Sequence, residues 1–190
     1  MPRHQTTLNP NIVIQTAASI ADEVGSIDNL TLAQVAERLD VRVPSLYNHV
    51  DGLNGLRRGV TLLCLREMSE LMRDAAVGAS GAAAIMAAAA ALRDYAIHHP
   101  GRYTAAVRAQ NDDDEIRAAG EQMVNLFVRL LEPYQLDREE LIHTVRGLRS
   151  LVHGFVALEC AGGFGLPINT EQSFRRLLQT FLAGLEHKVS

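Results

Sequence analysis

The chain has 190 residues, a formal net charge of −4 and 47% hydrophobic residues. This suits one medium domain, or a small domain joined to a larger one, and excludes an intrinsically disordered protein. The acidic balance lacks the basic signature that is typical of nucleic-acid-binding domains. Only 6 prolines occur, and the many Ala, Leu, Arg and Glu residues favour an all-α fold. The two cysteines, Cys64 and Cys160, lie far apart in apolar surroundings, so we expect free thiols and a cytoplasmic location.

We expect neither a signal peptide nor a membrane-spanning helix in this sequence. Met1 to Asn9 is polar and does not resemble a signal peptide. The run from Gly81 to Leu92 is too short and too weakly hydrophobic to span a bilayer. It predicts an alanine-rich helix that packs closely on a neighbour, and we expect no membrane partner.

Three short helices are predicted first. Asn9 caps the first helix, with Pro10 in its first turn, and Gly25 ends it. Thr31 opens the second helix, and Gln34 completes a capping box. After the turn Asp40-Val41-Arg42, a third helix begins near Pro44 and runs to about Val50.

Longer helices follow, giving about nine in all. "DGLNGL", residues 51–56, is predicted as a turn leading into a long helix that ends before residues 78–81. The next helix runs to about His98 and is broken by "HHPG", and residues 102–110 form a short helix or a turn. The acidic cluster at residues 112–115 is expected at a helix N-terminus.

The last two helices are predicted from their caps. Asp137 with Glu140 caps one helix that reaches Cys160, and Asn169 with Gln172 caps the last one. The first of these two helices is apolar on more than one face and therefore needs two packing partners. One partner is the core of its own chain, and a second subunit is the candidate for the other.

The second and third helices have the lengths and the short turn of a helix-turn-helix. We predict that Leu46 and Val50 anchor the third helix while its other side stays free. Val43 occupies the predicted cap position, and an exposed Val43-Pro44 pair would suit contact with a thymine methyl in the major groove. The free side, its flank and the preceding turn carry Ser45, Asn48, His49, Tyr47 and Arg42.

These side chains have the chemistry for reading DNA. Arg42 could reach guanine or a phosphate, and Asn48 could read adenine. Tyr47 and His49 could hold phosphate oxygens, and the helix beginning at Thr31 presents backbone N–H groups to another phosphate. The alternative is a packing unit whose polar residues are merely solvated, since helix-turn-helix geometry also occurs without DNA.

The stretch "LTLAQVAERLDVRVPSLYNHV", Leu30 to Val50, resembles the DNA-binding domain of the tetracycline-repressor-like (TetR/AcrR) family of bacterial regulators. Its Leu46-Tyr47-x-His49-Val50 signature is the specific part. "HHPGRY" and "LRSLVHGFVALECAGGFGLP", residues 148–167, resemble the C-terminal half of a subgroup named for a Trp-His-Gly motif. Here His153-Gly154 is present, whereas the chain contains no tryptophan.

The resemblance implies a DNA-binding domain at residues 1–55 and an effector-binding and dimerisation domain at residues 56–190. It implies a homodimer whose recognition helices enter successive major grooves roughly 34–36 Å apart on a pseudo-palindromic operator. It also implies a repressor that a small-molecule effector of unknown identity releases from the operator DNA. The last two helices of each subunit would form a four-helix bundle at the dimer interface.

One position departs from the family pattern. The family places a phosphate-contacting lysine at the start of the fourth helix, and this chain has Leu53 there. Arg57 or Arg58 is the candidate replacement. Together with the acidic balance of the N-terminal half, Leu53 supports an alternative function: a helical ligand-binding or interaction protein that has lost DNA affinity.

Two further sets of residues are predicted within the larger domain. Candidates for an effector cavity, each of which could equally be plain core, are Met86, Tyr95, Tyr103, Met123, Phe127 and His153. Candidates for the dimer interface are Leu151, Phe155, Leu158, Phe174, Leu178, Phe181 and Leu182.

Metal, cofactor and enzyme sites are not expected. His98 and His99 are adjacent, with no second pair to complete a metal site. The cluster at residues 112–115 lacks the ligand spacing of a calcium loop. His153 could serve catalysis, but no nucleophile lies at a matching spacing, and no phosphate loop, nucleophile elbow or Cys-x-x-Cys occurs.

Overall fold

The computed structural model describes residues 8–108 and 113–189, with side chains as far as Glu186. These residues form nine α-helices and no strand, which confirms the all-α prediction. The helices are α1 (Pro10–Glu23), α2 (Leu32–Arg38), α3 (Val43–Leu46), α4 (Gly52–Ala76), α5 (Gly81–His98), α6 (Pro100–Val107), α7 (Asp114–Leu131), α8 (Arg138–Cys160) and α9 (Thr170–Val189). Within the described ranges, no helix combines the length and apolar character needed to cross a bilayer.

The predicted caps are present. The Asn9 side chain accepts a hydrogen bond from the Ile12 amide, and Thr31 and Gln34 form a reciprocal capping box. Asp137 accepts from two amides at the start of α8, and Asn169 accepts from the Gln172 amide at 2.8 Å. Each cap satisfies amides that have no acceptor within the helix, and it therefore fixes where the helix begins.

Some elements differ from the prediction. Helix α4 begins at Gly52, within the segment that was predicted as a turn. The short helix predicted as one possibility after His98 is present as α6, a helix of 8 residues, but it already begins at Pro100. Asp113 caps α7 by accepting from the Glu115 and Ile116 amides at 3.0 Å, as expected for the acidic cluster. Asp112, the first residue of that cluster, lies outside the described residues.

The chain forms two compact units, and the first is built from two segments. It extends to Leu65 and also includes His99–Arg117, so that α6 packs with α1 and with a short 3-10 segment, Ile27–Asn29. Its core is formed by the apolar faces of α1, α2 and the start of α4, with Leu46 of α3 fully buried among them. The predicted functional division at residue 55 stays a prediction, and α4 continues through that position.

The contact between α1 and α6 is unusually close. A Cβ at Gly101 would lie 1.9 Å from the Ala21 carbonyl oxygen, so only glycine fits there. Beside it, the Asp22 carboxylate accepts a hydrogen bond from the Arg102 amide at 2.9 Å and contacts His99 Nδ1 at 3.0 Å. The side chain of Arg102 pairs with the same carboxylate at 2.9 Å. These contacts fix the start of α6 against the end of α1.

The second unit consists of Arg66–His98 and the chain from Ala118 onwards, in which α5 packs on α8 and α9. Arg93 of α5 forms a two-point ion pair with Glu159 of α8, with Nε 2.7 Å from Oε2. The guanidinium also lies over the ring of Phe174. This pairing lowers the pKa of Glu159 and raises that of Arg93. Arg93 therefore joins three helices through one largely buried charge.

Candidate nucleic-acid interface

The predicted recognition helix is shorter than expected. Helix α3 has 4 residues, and residues 47–49 form a turn in which the His49 and Val50 amides both donate to the Leu46 carbonyl, at 2.9 and 3.0 Å. The prediction that the helix runs to about Val50 is therefore wrong. A segment this short depends on its neighbours, and the fully buried Leu46 provides that support.

The start of α3 also needs a correction. Arg42, not Val43, is the N-cap residue, and its side chain makes no capping bond. Val43 is partly buried and packs on the core of the first unit, whereas Pro44 is exposed. The predicted exposed Val43-Pro44 pair is thus reduced to Pro44, because the first turn of the helix directs Val43 inward.

A set of polar side chains remains available around α3. Arg42 and Asn48 are exposed, Tyr47 is 59% exposed, and Ser45 and His49 are partly exposed. Within residues 8–108 and 113–186, no hydrogen bond or ion pair occupies any of these five side chains. The sequence-predicted DNA-contacting side chains near α3 therefore lie together and retain their hydrogen-bonding capacity.

Helix α2, which packs on α3, begins after Thr31. The Thr31 hydroxyl is used internally, donating to Gln34 Oε1 at 2.8 Å while the Gln34 amide donates to it. The amides of Leu32 and Ala33 have no acceptor within the helix. The Thr31 hydroxyl is therefore already engaged within the chain, as the cap of α2.

The position of the family lysine has a different environment here. Leu53 is partly buried against the core of the first unit. Helix α4 starts at Gly52 with a positive φ of 60°, and a Cβ on Gly52 would lie 3.7 Å from a ring carbon of Tyr47. The Tyr47 side chain and the first amides of α4 therefore lie next to each other.

Both candidate replacements for that lysine have partners within the first unit. Arg57 donates to the Asp28 carbonyl at 2.8 Å, and Arg58 pairs with Asp113 and with Glu115, the latter at 2.8 Å. Arg58 lowers the pKa of Asp113 to about 2, chiefly through the hydrogen bond that its guanidinium donates to the Asp113 carboxylate. We call these residues, together with Arg108, which pairs with Asp28, the Arg58 network. All of these residues except Glu115 line a cavity of about 420 Å³.

Sequence reasoning missed the Arg58 network because its partners are far apart in the chain. Arg58 and Asp113 are 55 residues apart, and no local pattern signals such a pairing. The acidic cluster was recognised only as a helix N-terminus. Its second contribution, which is to hold an arginine of α4, depends on the tertiary fold.

The predicted effector residues are divided between the two units. Tyr103 is buried in the first unit, and the other five belong to the second. Tyr95, Met123 and Phe127 are buried, and Met86 and His153 are partly buried. Burial, with a smaller contribution from the charge of Arg149, lowers the pKa of His153 to about 4.

The predicted interface residues on α8 and α9 differ in exposure. Leu158 is 55% exposed, and Leu151 and Phe181 are partly exposed. The remaining four residues, Phe155, Phe174, Leu178 and Leu182, are already buried within the subunit.

The paired histidines lie at the junction of α5 and α6 and do not act together. His98 contacts the Asp94 carbonyl at 2.8 Å, whereas His99 contacts Asp22. In the part of the chain that the structure describes, no group of three or more His, Cys, Asp or Glu side chains is arranged to hold a metal ion.

Comparison with known proteins identifies the family. Residues 85–181 match the tetracyclin repressor-like C-terminal domain family. The chain is 34% identical to the uncharacterized HTH-type transcriptional regulator YobS of Bacillus subtilis, over 94% of this chain and 93% of that protein. It is 33% identical to the uncharacterized HTH-type transcriptional regulator Rv0681 of Mycobacterium tuberculosis, over 96% of this chain and 84% of that protein.

A solved structure shows the same fold. A TetR variant from Acinetobacter baumannii in complex with minocycline matches with a TM-score of 0.72 and 20% identity, over 97% of this chain and 99% of that chain. The two curated relatives extend over both the helix-turn-helix and the C-terminal helices. The assignment to the Trp-His-Gly subgroup stays a prediction. The chain belongs to the TetR family of helix-turn-helix transcriptional regulators.

Proposed function

We propose that this protein is a cytoplasmic, non-enzymatic repressor that binds a pseudo-palindromic operator as a homodimer and is released by a small molecule. The observation that carries the proposal is the set of unoccupied polar side chains around α3, held in place by the buried Leu46. Side chains without partners inside the protein are free to bond to base edges and phosphates.

The contacts divide by chemistry. Asn48 reads adenine, Arg42 reads guanine or holds a phosphate, and Pro44 contacts a thymine methyl. Tyr47 and His49 hold phosphate oxygens and fix the position of α3 without specifying sequence. Ser45 is partly exposed on the same segment and bonds to an adjacent base edge or phosphate.

The missing lysine is replaced by a different anchor. The Gly52 amide donates to the Val50 carbonyl at 3.0 Å, but the amides of Leu53 and Asn54 have no acceptor within the helix, and the helix dipole favours an anion at that end. Because Tyr47 lies beside Gly52, one phosphate can accept from the tyrosine hydroxyl and from these amides together. The start of α2 at Thr31 provides a second anchor of the same kind.

Arg57 contributes only if DNA outcompetes the Asp28 carbonyl that it now contacts. Arg58 would have to break its ion pairs with two carboxylates, those of Asp113 and Glu115. Of the two arginines, Arg57 is therefore the better candidate for a phosphate contact. We propose it as a secondary contact, after the α4 amides.

The homodimer is formed by the sides of α8 and α9 that the subunit core does not use. Leu151 and Leu158 of α8 flank Gly154, which has open space where a Cβ would be. Leu177 on α9 is 39% exposed, close in sequence to Phe181 and to Gly184, whose Cβ position is also open. Leucines separated by glycines allow two helices of a partner subunit to approach closely.

Four of the seven predicted interface residues then belong to the core of the subunit rather than to the contact surface. Phe155, Phe174, Leu178 and Leu182 are buried within the subunit and support α8 and α9 from behind. The proposed contact surface therefore consists of Leu151, Leu158 and Phe181 from the original set, with Leu177 added.

The effector cavity is proposed within the second unit, among Met86, Tyr95, Met123, Phe127 and His153. Tyr103 is left out because it belongs to the first unit. The TetR variant of the same fold was solved with minocycline, which supports a small molecule as the ligand class. Such an effector shifts the protein away from DNA only if it binds the two states with different affinity.

Binding to DNA is tested by fluorescence anisotropy at two salt concentrations, with the DNA upstream of the protein's own gene and a random duplex. We expect a preference of at least ~10³ for the upstream DNA. Asn48→Ala should relax the preference at one base position, and Tyr47→Ala should weaken binding to every duplex. Unchanged affinity in both variants would show that α3 does not enter the major groove.

A matched pair of arginine variants controls for nonspecific charge loss. Arg42 and Arg38 are both exposed in the first unit, but Arg38 is held by Glu23 through two hydrogen bonds. If Arg42 holds a phosphate, Arg42→Gln should reduce the log–log salt slope by about one, and if it reads guanine it should relax one base position. Arg38→Gln should change neither. Equal losses in the two variants would mean that only net charge matters.

The alternative is a helical ligand-binding or interaction protein that has lost DNA affinity. It is favoured by the partly buried Leu53 and by the two carboxylates that hold Arg58. Weak and equal binding to the upstream and random duplexes would support it, and the search would then move to ligands of the second unit.

A further inference from the structure

A second concave surface lies between α7 and α8, entirely within the second unit. We call it the α7–α8 groove; its volume is about 350 Å³, at the lower end of the range for small-molecule sites. Its floor is apolar and is formed by Val124, Val128, Leu141, Ile142 and Val145. None of these five residues belongs to the effector cavity proposed above.

Three arginines of α8 line the same groove: Arg138, Arg146 and Arg149. All three are exposed, and over the stretches that the structure describes, no carboxylate or carbonyl accepts a hydrogen bond from their side chains. This contrasts with Arg58 and Arg93, each of which is paired with a carboxylate. A guanidinium stays charged at physiological pH and offers several donors in one plane.

The arrangement has both halves of an amphipathic recognition site. The floor includes Ile142, a large apolar side chain that is 43% exposed. From Arg138 to Arg149 the arginines extend over eleven residues of α8, roughly 16 Å. An apolar ligand alone would leave the guanidiniums without partners, and a small inorganic anion would leave the floor uncovered.

We propose that the α7–α8 groove binds a free medium-chain acyl carboxylate, with the chain on the apolar floor and the carboxylate on the arginines. The planar guanidinium matches a carboxylate in two-point geometry. Of the three, Arg146 and Arg149 are the closer pair along α8, and we assign the head group to them. Arg138, which is exposed, lies at the other end of the groove, where its guanidinium stays hydrated.

The groove stays open in the proposed dimer. Arg149 and Leu158 are nine residues apart, which is two and a half helical turns, so they point to opposite sides of α8. Leu158 belongs to the proposed dimer surface, and the groove therefore faces away from the partner subunit. This site is distinct from the effector cavity, and binding to it requires neither operator DNA nor the effector.

The test is isothermal titration calorimetry of the full chain with decanoate, and with octanoate and decan-1-ol as comparisons. Each buried methylene is worth at most roughly a fourfold change in affinity, so octanoate should bind more weakly by up to about fifteenfold. Loss of the carboxylate in decan-1-ol should weaken binding by roughly five- to tenfold. Equal affinity for decanoate and decan-1-ol would overturn the role of the arginines.

Variants locate the site on the protein. Arg146→Gln and Arg149→Gln should each weaken decanoate binding by roughly fivefold, and Ile142→Gln should weaken the binding of both decanoate and decan-1-ol. Arg176→Gln is the matched control, because Arg176 is also exposed, lies in the second unit and is not part of the groove. It should bind decanoate like the unaltered protein.

Two further outcomes would overturn the proposal. The first is undetectable decanoate binding to the unaltered protein. The second is decanoate binding that none of the groove variants weakens, which would place the ligand elsewhere in the chain. Operator binding measured on the same preparations separates this proposal from the proposed function, since a protein that fails to bind DNA can still bind decanoate in the groove.

Discussion

Replacing Gly101 with alanine should destabilise the protein by opening the contact between α6 and α1. The new Cβ would lie 1.9 Å from the Ala21 carbonyl oxygen and 2.5 Å from the Asp22 amide nitrogen, against an ordinary contact distance of 3.4–4 Å. The obstructing atoms belong to the backbone of α1, so they cannot rotate away as a side chain would. The two helices must separate by about 1.5 Å.

The expected magnitude follows from three contributions. Overpacking of this kind costs about 1–3 kcal/mol. Separation also stretches the contacts of Asp22 with Arg102 and His99, which adds about 1–2 kcal/mol. Alanine gains about 0.5–1 kcal/mol over glycine as a helix residue. The net loss of unfolding free energy is about 3 kcal/mol, and the melting temperature should fall by roughly 6–12 °C.

Urea titration and thermal unfolding followed by circular dichroism measure this change. Gly120→Ala is the matched control, because Gly120 lies inside α7 with nothing within 4 Å of its Cβ position. That variant should gain about 0.5–1 kcal/mol. If Gly101→Ala is as stable as Gly120→Ala, the close approach of α6 to α1 is wrong.

Three further predictions concern the second unit. The pKa of His153 is about 6.5 in the unfolded chain and about 4 in the folded chain. The unfolding free energy should therefore fall by up to about 3 kcal/mol as the pH drops from 6.5 to 4. In urea titrations, His153→Gln should reduce this dependence of the unfolding free energy on pH. Arg93→Met should destabilise by about 3 kcal/mol, since the largely buried Glu159 loses its cation, and Glu159→Gln in the same background should restore part of the loss. Leu158→Glu should shift the dimer towards monomer in sedimentation velocity, whereas Ile142→Glu, similarly exposed on the other side of α8, should not; equal effects would refute the proposed interface.

Much of the helical pattern could be predicted because its signals are local. Asn9, Thr31, Asp137 and Asn169 each bond to amides within three residues of themselves. A bond at this spacing appears in the sequence as a cap residue followed by a periodic apolar face. The beginnings of α1, α2, α8 and α9 were therefore predicted correctly.

The elements that were predicted poorly depend on distant contacts. Helix α3 ends at Leu46, and the apolar Val50, which packs on the core of the first unit from the turn after α3, gave a false signal that the helix continued. The prediction that Val43 is exposed was wrong because its packing partners lie on other helices. Local patterns do not contain this information.

The candidate site was predicted in part. The polar residues around α3 were found because they cluster within eight residues of sequence. The partners of Arg57 and Arg58 were not found, because Asp28 is 29 residues and Asp113 is 55 residues away. Predicting the pair of Arg58 with Asp113 requires knowing that residues 99–117 return to the helices of the first unit.

That return of the chain has a consequence for exchanging parts between regulators of this family. The first unit is completed by His99–Arg117, a segment encoded far downstream of α3. A chimera that takes only the N-terminal helices from another regulator would set a foreign α1 against this α6, where Gly101 leaves no room for a shifted backbone. New operator specificity would therefore be transplanted more safely by changing the exposed residues around α3 than by recombining whole N-terminal segments.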